Sequence, residues 1–161
     1  MDADRSAEPD QAGRPARRAK IRTVVLATDL TPVSEAATLQ AIDLCGALGA
    51  RLLVVNVIDV AERMGGSEAP VSRTARVDQL RAERERPLLA VVEQARSRGV
   101  ESAFLLWTGE PGQGIVAAAE AEGADMVIVG TRGLDRAGRF LLGSVSDYVV
   151  YHSSCPVLVA R

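Results

Sequence analysis

The chain has 161 residues, enough for one domain with a real core. Its 47% hydrophobic residues, 25% charged residues and net charge of -2 are those of an ordinary soluble globular protein, not of a disordered or membrane chain. Two Phe, two Tyr and one Trp are too few for the stacking platforms of single-stranded nucleic acid binders, which argues against nucleic acid as a partner. One His and two Cys cannot complete a tetrahedral zinc site without borrowing carboxylates. The single lysine, Lys20, leaves none for a Walker-type phosphate loop or a Schiff base. Cys45 and Cys155 are too far apart in the chain to act as a useful staple, and as free thiols they suit a reducing, cytoplasmic setting. No apolar run approaches the roughly 20 residues of a membrane span.

Residues 1–20 carry prolines, a glycine and mixed charges without a hydrophobic period, and are expected to form a flexible tail ahead of one domain over 21–161. Thr23 to Ala27 is apolar on both faces, as the central strand of a parallel sheet must be. Thr31 and Pro32 then offer a helix start, and Ala37, Ala41, Leu44, Cys45 and Leu48 recur at helical spacing until Gly49. Leu52 to Ile58 predicts a second strand. A long charged helix follows over 71–98, with Val77, Leu80, Leu88, Val91, Val92 and Ala95 inward and a kink expected at Pro87. Its run from Arg81 to Arg86 is expected to be a solvated face. A strand over 104–107, a helix over 113–122, a strand over 126–129, a helix over 144–152 and a strand over 157–160 complete the pattern. This alternation specifies an α/β fold with one five-stranded parallel sheet and helices on both faces. Ligands of such sheets bind beyond the carboxyl ends of the strands, where strand order reverses.

Three loops therefore merit a search: 28–31 after the first strand, 59–70 after the second and 130–143 after the fourth. The third reads Gly130-Thr131-Arg132-Gly133, then nine residues, then Gly143-Ser144-Val145-Ser146 at a helix start. Glycines let a backbone approach closely, and the free N–H groups of a helix start suit an anion. Ser144 and Ser146 add hydroxyls, and Arg132, Arg136 and Arg139 add charge. The same glycines would also serve merely to shape a turn and a cap. Asp29 likewise has two roles open to it, organising the turn into the first helix or contacting a ligand. Asp147 suits the dipole of the last helix, or a metal bridged to phosphate. His152 has no acidic or nucleophilic partner in view, and its place at a helix end suits the dipole. Cys155, before Pro156, reads as structural.

The Gly-x2-Gly-x9-Gly-Ser motif after a fourth strand resembles the nucleotide motif of the universal stress protein family. Val24 to Asp29 with Ser34, Leu52 to Val57, Asp125 to Gly133 and Cys155 to Arg161 resemble further family segments, so that the likeness covers about residues 20–161. The resemblance implies a Rossmann-like fold with strand order 3-2-1-4-5, and a cytoplasmic stress-response protein of the ATP-binding branch. It implies that ATP, with Mg2+, lies between the loops after strands one and four. The first loop would contribute Ala27, Thr28 and Asp29, the second strand the backbone of Val57, which reads adenine, and the glycine loop Gly130, Arg132, Gly133, Gly143, Ser144, Val145 and Ser146. Where the family usually has histidine before that valine, this chain has Asn56, expected to matter little because the contact is through backbone. No catalytic residue is identified, so a nucleotide-dependent switch is expected, with slow hydrolysis or autophosphorylation as the alternative. Another alternative is a dimeric interaction module whose nucleotide is structural or another adenine nucleotide. Family members pair through the last strand, which implies a homodimer through Val157 to Ala160. A lid is a further candidate role for residues 62–70.

Overall fold

The structure, a computed structural model, describes residues 20–59, 70–131 and 142–160, with residues 70–73 described by backbone alone. The proposed tail apart from Lys20, the 62–70 lid apart from the backbone of Pro70, and Arg132, Gly133, Arg136 and Arg139 lie outside the described residues. Strands β1 (Thr23–Ala27), β2 (Arg51–Ile58), β3 (Ser102–Thr108), β4 (Met126–Gly130) and β5 (Val157–Ala160) form one parallel sheet in the order 3-2-1-4-5. The expected fold class and strand order are both observed. Helices α1 (Glu35–Leu48), α2 (Pro70–Ser97), α3 (Pro111–Ala121) and α4 (Ser144–His152) fill the crossovers. No described helix is long and apolar enough to cross a membrane.

All five residues of β1 are buried, because alternate side chains feed two separate cores. Val24, Leu26, Leu52, Val54 and Ile128 face α1 and α2, where they meet Ala41, Ile42, Leu88 and Val92. Val25, Leu53, Val55, Val127 and Val129 face α3 and α4, meeting Ile115, Ala118 and Val149. Helix α1 stops where Gly49 turns left-handed, at φ 62°, and its N–H bonds to Cys45 O. Helix α2 continues through Pro87, an exposed residue whose ring needs no room in the core.

Several boundaries shift by one or two residues, β3 for instance starting at Ser102 and not at 104, and α1 proper begins at Glu35 after a 3-10 turn over Pro32–Ser34. Helix α3 begins at Pro111, two residues before the expected Gln113, because Glu110 caps it by accepting from the N–H groups of Gly112 (3.0 Å) and Gln113 (2.7 Å). Far below the site, Asp125 Oδ2 accepts from the N–H groups of Arg22 (2.8 Å) and Thr23 (2.9 Å), fastening the start of β1 to the turn before β4.

Candidate functional site

A cavity of about 510 Å3 opens over the carboxyl ends of β1, β2 and β4, at the switch point. Its floor is Ala27, Val55 and Val129, and Val33, Leu80, Ile115 and Val145 supply apolar walls. Of the expected site residues, Ala27, Thr28, Asp29, Val57, Gly130, Gly143, Val145 and Ser146 all line this one space. Ser144, exposed at the first position of α4, is not among the lining residues.

The loop after β1 is held by its own polar groups. Ser34 Oγ donates to Thr31 O (2.8 Å), so the Thr28 hydroxyl must be the donor in its 3.0 Å contact with Ser34 Oγ. Leu30 N–H in turn donates to Thr28 Oγ1 at 3.1 Å. Leu30 sits at φ 63°, the one non-glycine left-handed residue among those described, beside the cavity-lining Asp29. Asp29 Oδ1 accepts from both the N–H (3.0 Å) and the hydroxyl (2.7 Å) of Thr31. Burial pushes the Asp29 carboxyl up, but hydrogen bonding from Thr31, then from Ser34 and the Asp29 backbone, together outweighs it and holds the carboxyl below its ordinary value. The aspartate therefore does organise the turn, and it remains exposed on the cavity wall while doing so.

Across the cavity lies the start of α4. Its N-cap is Gly143, which has no side chain to offer, so among the described residues no side-chain cap covers the first N–H groups of the helix, at a wall formed by Gly143, Val145 and Ser146. Helix α3 also begins at the cavity, through Pro111, but Glu110 has taken its donors. Of these two helix starts, that of α4 is the one open to an anion. Ser146 Oγ gives its single proton to Gly130 O (2.7 Å), so it fastens β4 to α4 and presents lone pairs, not the hydroxyl donor expected of it. A Cβ on Gly130 would meet only Ala37 Cβ, at 3.7 Å, an ordinary contact. Packing among the described residues gives no reason for glycine there.

The end of β2 supplies the third element. Thr28 N–H donates to Val55 O, so the backbone edge of Val55 faces β1, and two residues on the edge of Val57 faces the same way. The β1 ladder has ended by then, at Ala27 opposite Val55. The next rung would join Val57 N–H to Thr28 O, but that carbonyl instead accepts from Asn56 Nδ2 at 2.7 Å. An N–H donor and a C=O acceptor of Val57 are left without a strand partner beside the cavity. The side chain of Asn56, set aside on sequence, is therefore part of the wall, and it is 2% exposed.

Arg84 was also missed. Its Nη1 donates to Asp29 O (3.1 Å) and it lines the cavity, whereas Arg81, Glu83, Glu85 and Arg86 are exposed as expected. The signal was present in the spacing: Arg84 lies four residues from both Leu80 and Leu88, on the buried face of α2. His152 lies away from the cavity, its Nδ1–H donating to Tyr148 O (2.8 Å) and its ring stacked on Tyr148 at 3.9 Å. Cys45 is fully buried, and burial pushes its thiol up to about 11. Cys155 is half-buried beside Ser153 Oγ. Among the described residues no three His, Cys, Asp or Glu side chains gather as a metal cage.

The family model for universal stress proteins matches residues 20–161. A universal stress protein of Thermus aquaticus, encoded beside a sulfhydrylase, is 38% identical over 144 residues, covering 87% of this chain and 98% of its own. Among solved structures, the Lactobacillus plantarum protein UspA superposes with a TM-score of 0.75 at 20% identity, covering 89% of this chain and 99% of its own, a likeness of fold. A universal stress protein in complex with cAMP superposes with a TM-score of 0.65 at 26% identity, covering 88% and 98%. With the matched family model spanning both the sheet and the cavity, the chain belongs to the universal stress protein family.

Proposed function

We propose that the chain is a cytoplasmic stress-response protein that binds ATP, with Mg2+, between the loops after β1 and β4, and acts as a nucleotide-dependent switch. One juxtaposition carries this reading: a single cavity has the uncapped start of α4 at one wall and the free backbone edge of Val57 at another. The first suits phosphate and the second suits the hydrogen-bonding edge of adenine. The relative in complex with cAMP supports an adenine nucleotide as the ligand. Without a three-ligand protein cage among the described residues, Mg2+ would be held chiefly by phosphate oxygens, with the Asp29 carboxylate on the cavity wall assisting. When bound, the ion would neutralise phosphate charge.

Slow turnover follows from the same site. Hydrolysis needs a group to orient or deprotonate the attacking water, and Asp29, whose Thr31 bonds favour its charged form, is a weak proton acceptor. The two buried or half-buried thiols support a reducing compartment. Gly130→Ala tests the site directly. Its new methyl finds ordinary contact inside the chain, so the melting temperature should change little, while ATP affinity measured by calorimetry should fall at least about tenfold as the methyl enters the ligand's space. Unchanged affinity would remove Gly130 from the site. Identifying by mass the nucleotide released from denatured protein distinguishes ATP from another adenine nucleotide. A homodimer through β5 belongs to the same proposal, because among the described residues that strand pairs only with β4 and its outer edge has no partner strand.

A further inference from the structure

Asn56 Oδ1 is buried and has no hydrogen-bond partner, the one such side-chain atom found among the described residues. Its identity as oxygen is secured by its neighbour: Thr28 O can only accept, so the nitrogen of the amide must face it. Unpaired buried acceptors are costly, and native chains keep them where something else completes the bond. Asn56 lines the cavity immediately before Val57, whose N–H and C=O are free. A 6-aminopurine fits this set by chemistry. Its ring N1 accepts from Val57 N–H, one amine hydrogen goes to Val57 O, and the second amine hydrogen requires one more acceptor.

We infer that Asn56 is a specificity-determining residue of this site: its Oδ1 accepts from the exocyclic amine of the bound purine, while its Nδ2, by occupying Thr28 O, frees Val57 N–H for the ring. The inference rests on the nucleotide reading above and adds to it the discrimination between amino and non-amino purines. Sites built to hydrogen-bond a ligand N–H reject the analogue that lacks it, because their own buried groups are then left unpaired.

The test uses the full chain with ATP and with purine riboside triphosphate, which has hydrogen in place of the amine. Wild type should prefer ATP by on the order of a hundredfold, two hydrogen bonds being lost. In Asn56→Leu that preference should shrink about tenfold, because only the Val57 O contact still reads the amine. A second readout needs no variant: the Asn56 Cγ carbon resonance should move downfield on adding ATP and stay in place with the analogue. Tight ATP binding with undiminished preference in Asn56→Leu, or equal resonance shifts with both nucleotides, overturns the role of Asn56 and leaves the nucleotide site standing. Failure of wild type to bind either nucleotide overturns the site reading itself, and the role of Asn56 with it.

Discussion

Asp29 and Asn56 differ in how far their residue type announced their surroundings. An aspartate at the end of a buried strand implies an Asx-type turn, and the bonds from Thr31 are local, spanning two residues. The bond from Asn56 to Thr28 O spans 28 residues and exists only because β1 and β2 lie in a particular register. Asp125 belongs with Asn56 in this respect, since its amide donors come from more than 100 residues away. Those donors, Arg22 N–H and then Thr23 N–H, hold the Asp125 carboxyl below the usual carboxylate range. A folded-state value below the unfolded one contributes stability that is full above about pH 4 and is lost as pH falls through the folded value. The urea midpoint of wild type should therefore drop as pH falls below about 4, and Asp125→Asn should flatten part of that drop. An equal slope in both proteins would mean that this tie contributes nothing.

At the scale of elements, the amphipathic and β-branched runs located every strand to within two residues, because burial on both sheet faces demands continuous apolar strands, and every helix likewise except α1, whose first turn at Pro32–Ser34 is 3-10. The start of α3 was missed since glutamate is not a favoured N-cap, although Pro111 at the first helical position was a usable sign. What patterning does not report is how closely two helices approach. Gly112, in the first turn of α3, packs on Tyr148 of α4, where an added Cβ would lie 2.7 Å from Tyr148 Cδ1 and 3.0 Å from its Cβ. Gly112→Ala carries two opposed effects. Helix propensity favours alanine by about 1 kcal/mol, and less in a first turn. Overpacking costs about 1–3 kcal/mol, and contact with the Tyr148 Cβ leaves no flexible tip to swing aside. Net destabilisation in chemical denaturation is the expected result, with α4, and hence the anion-facing helix start, displaced. A neutral or stabilising effect would show that the α3–α4 pair is more compliant than this contact implies.

At the scale of the molecule, the open edge of β5 is the feature that points outward. Val127 N–H donates to Pro156 O and Thr131 N–H to Ala160 O, so the carbonyl edge at even-numbered residues faces β4 and the amides of Val157 and Val159 face outward. The side chains of these two valines pack into the core under α3 and α4, so replacing them with charge would damage the fold as well as the proposed interface. Val159→Pro is the cleaner change: it removes an outward N–H and leaves the β4 ladder intact, as edge prolines do. Sedimentation at micromolar concentration should show a dimer for wild type and a monomer for Val159→Pro, with helical content retained by circular dichroism. A dimer that persists in the variant would place the interface elsewhere.

The sequence by itself determined the α/β architecture, the loops at which a site would form and the family, since hydrophobic period, glycine spacing and turn chemistry are local properties of the chain. Only the tertiary structure decided which groups meet over the switch point. It brought Arg84 in from α2, closed the start of α3 with Glu110 while leaving that of α4 open, and ended the β1 ladder one rung short of Val57. The physical reason is that an unmade backbone bond, or an amide oxygen without a partner, depends on strand register and on distant residues, and no local pattern encodes it.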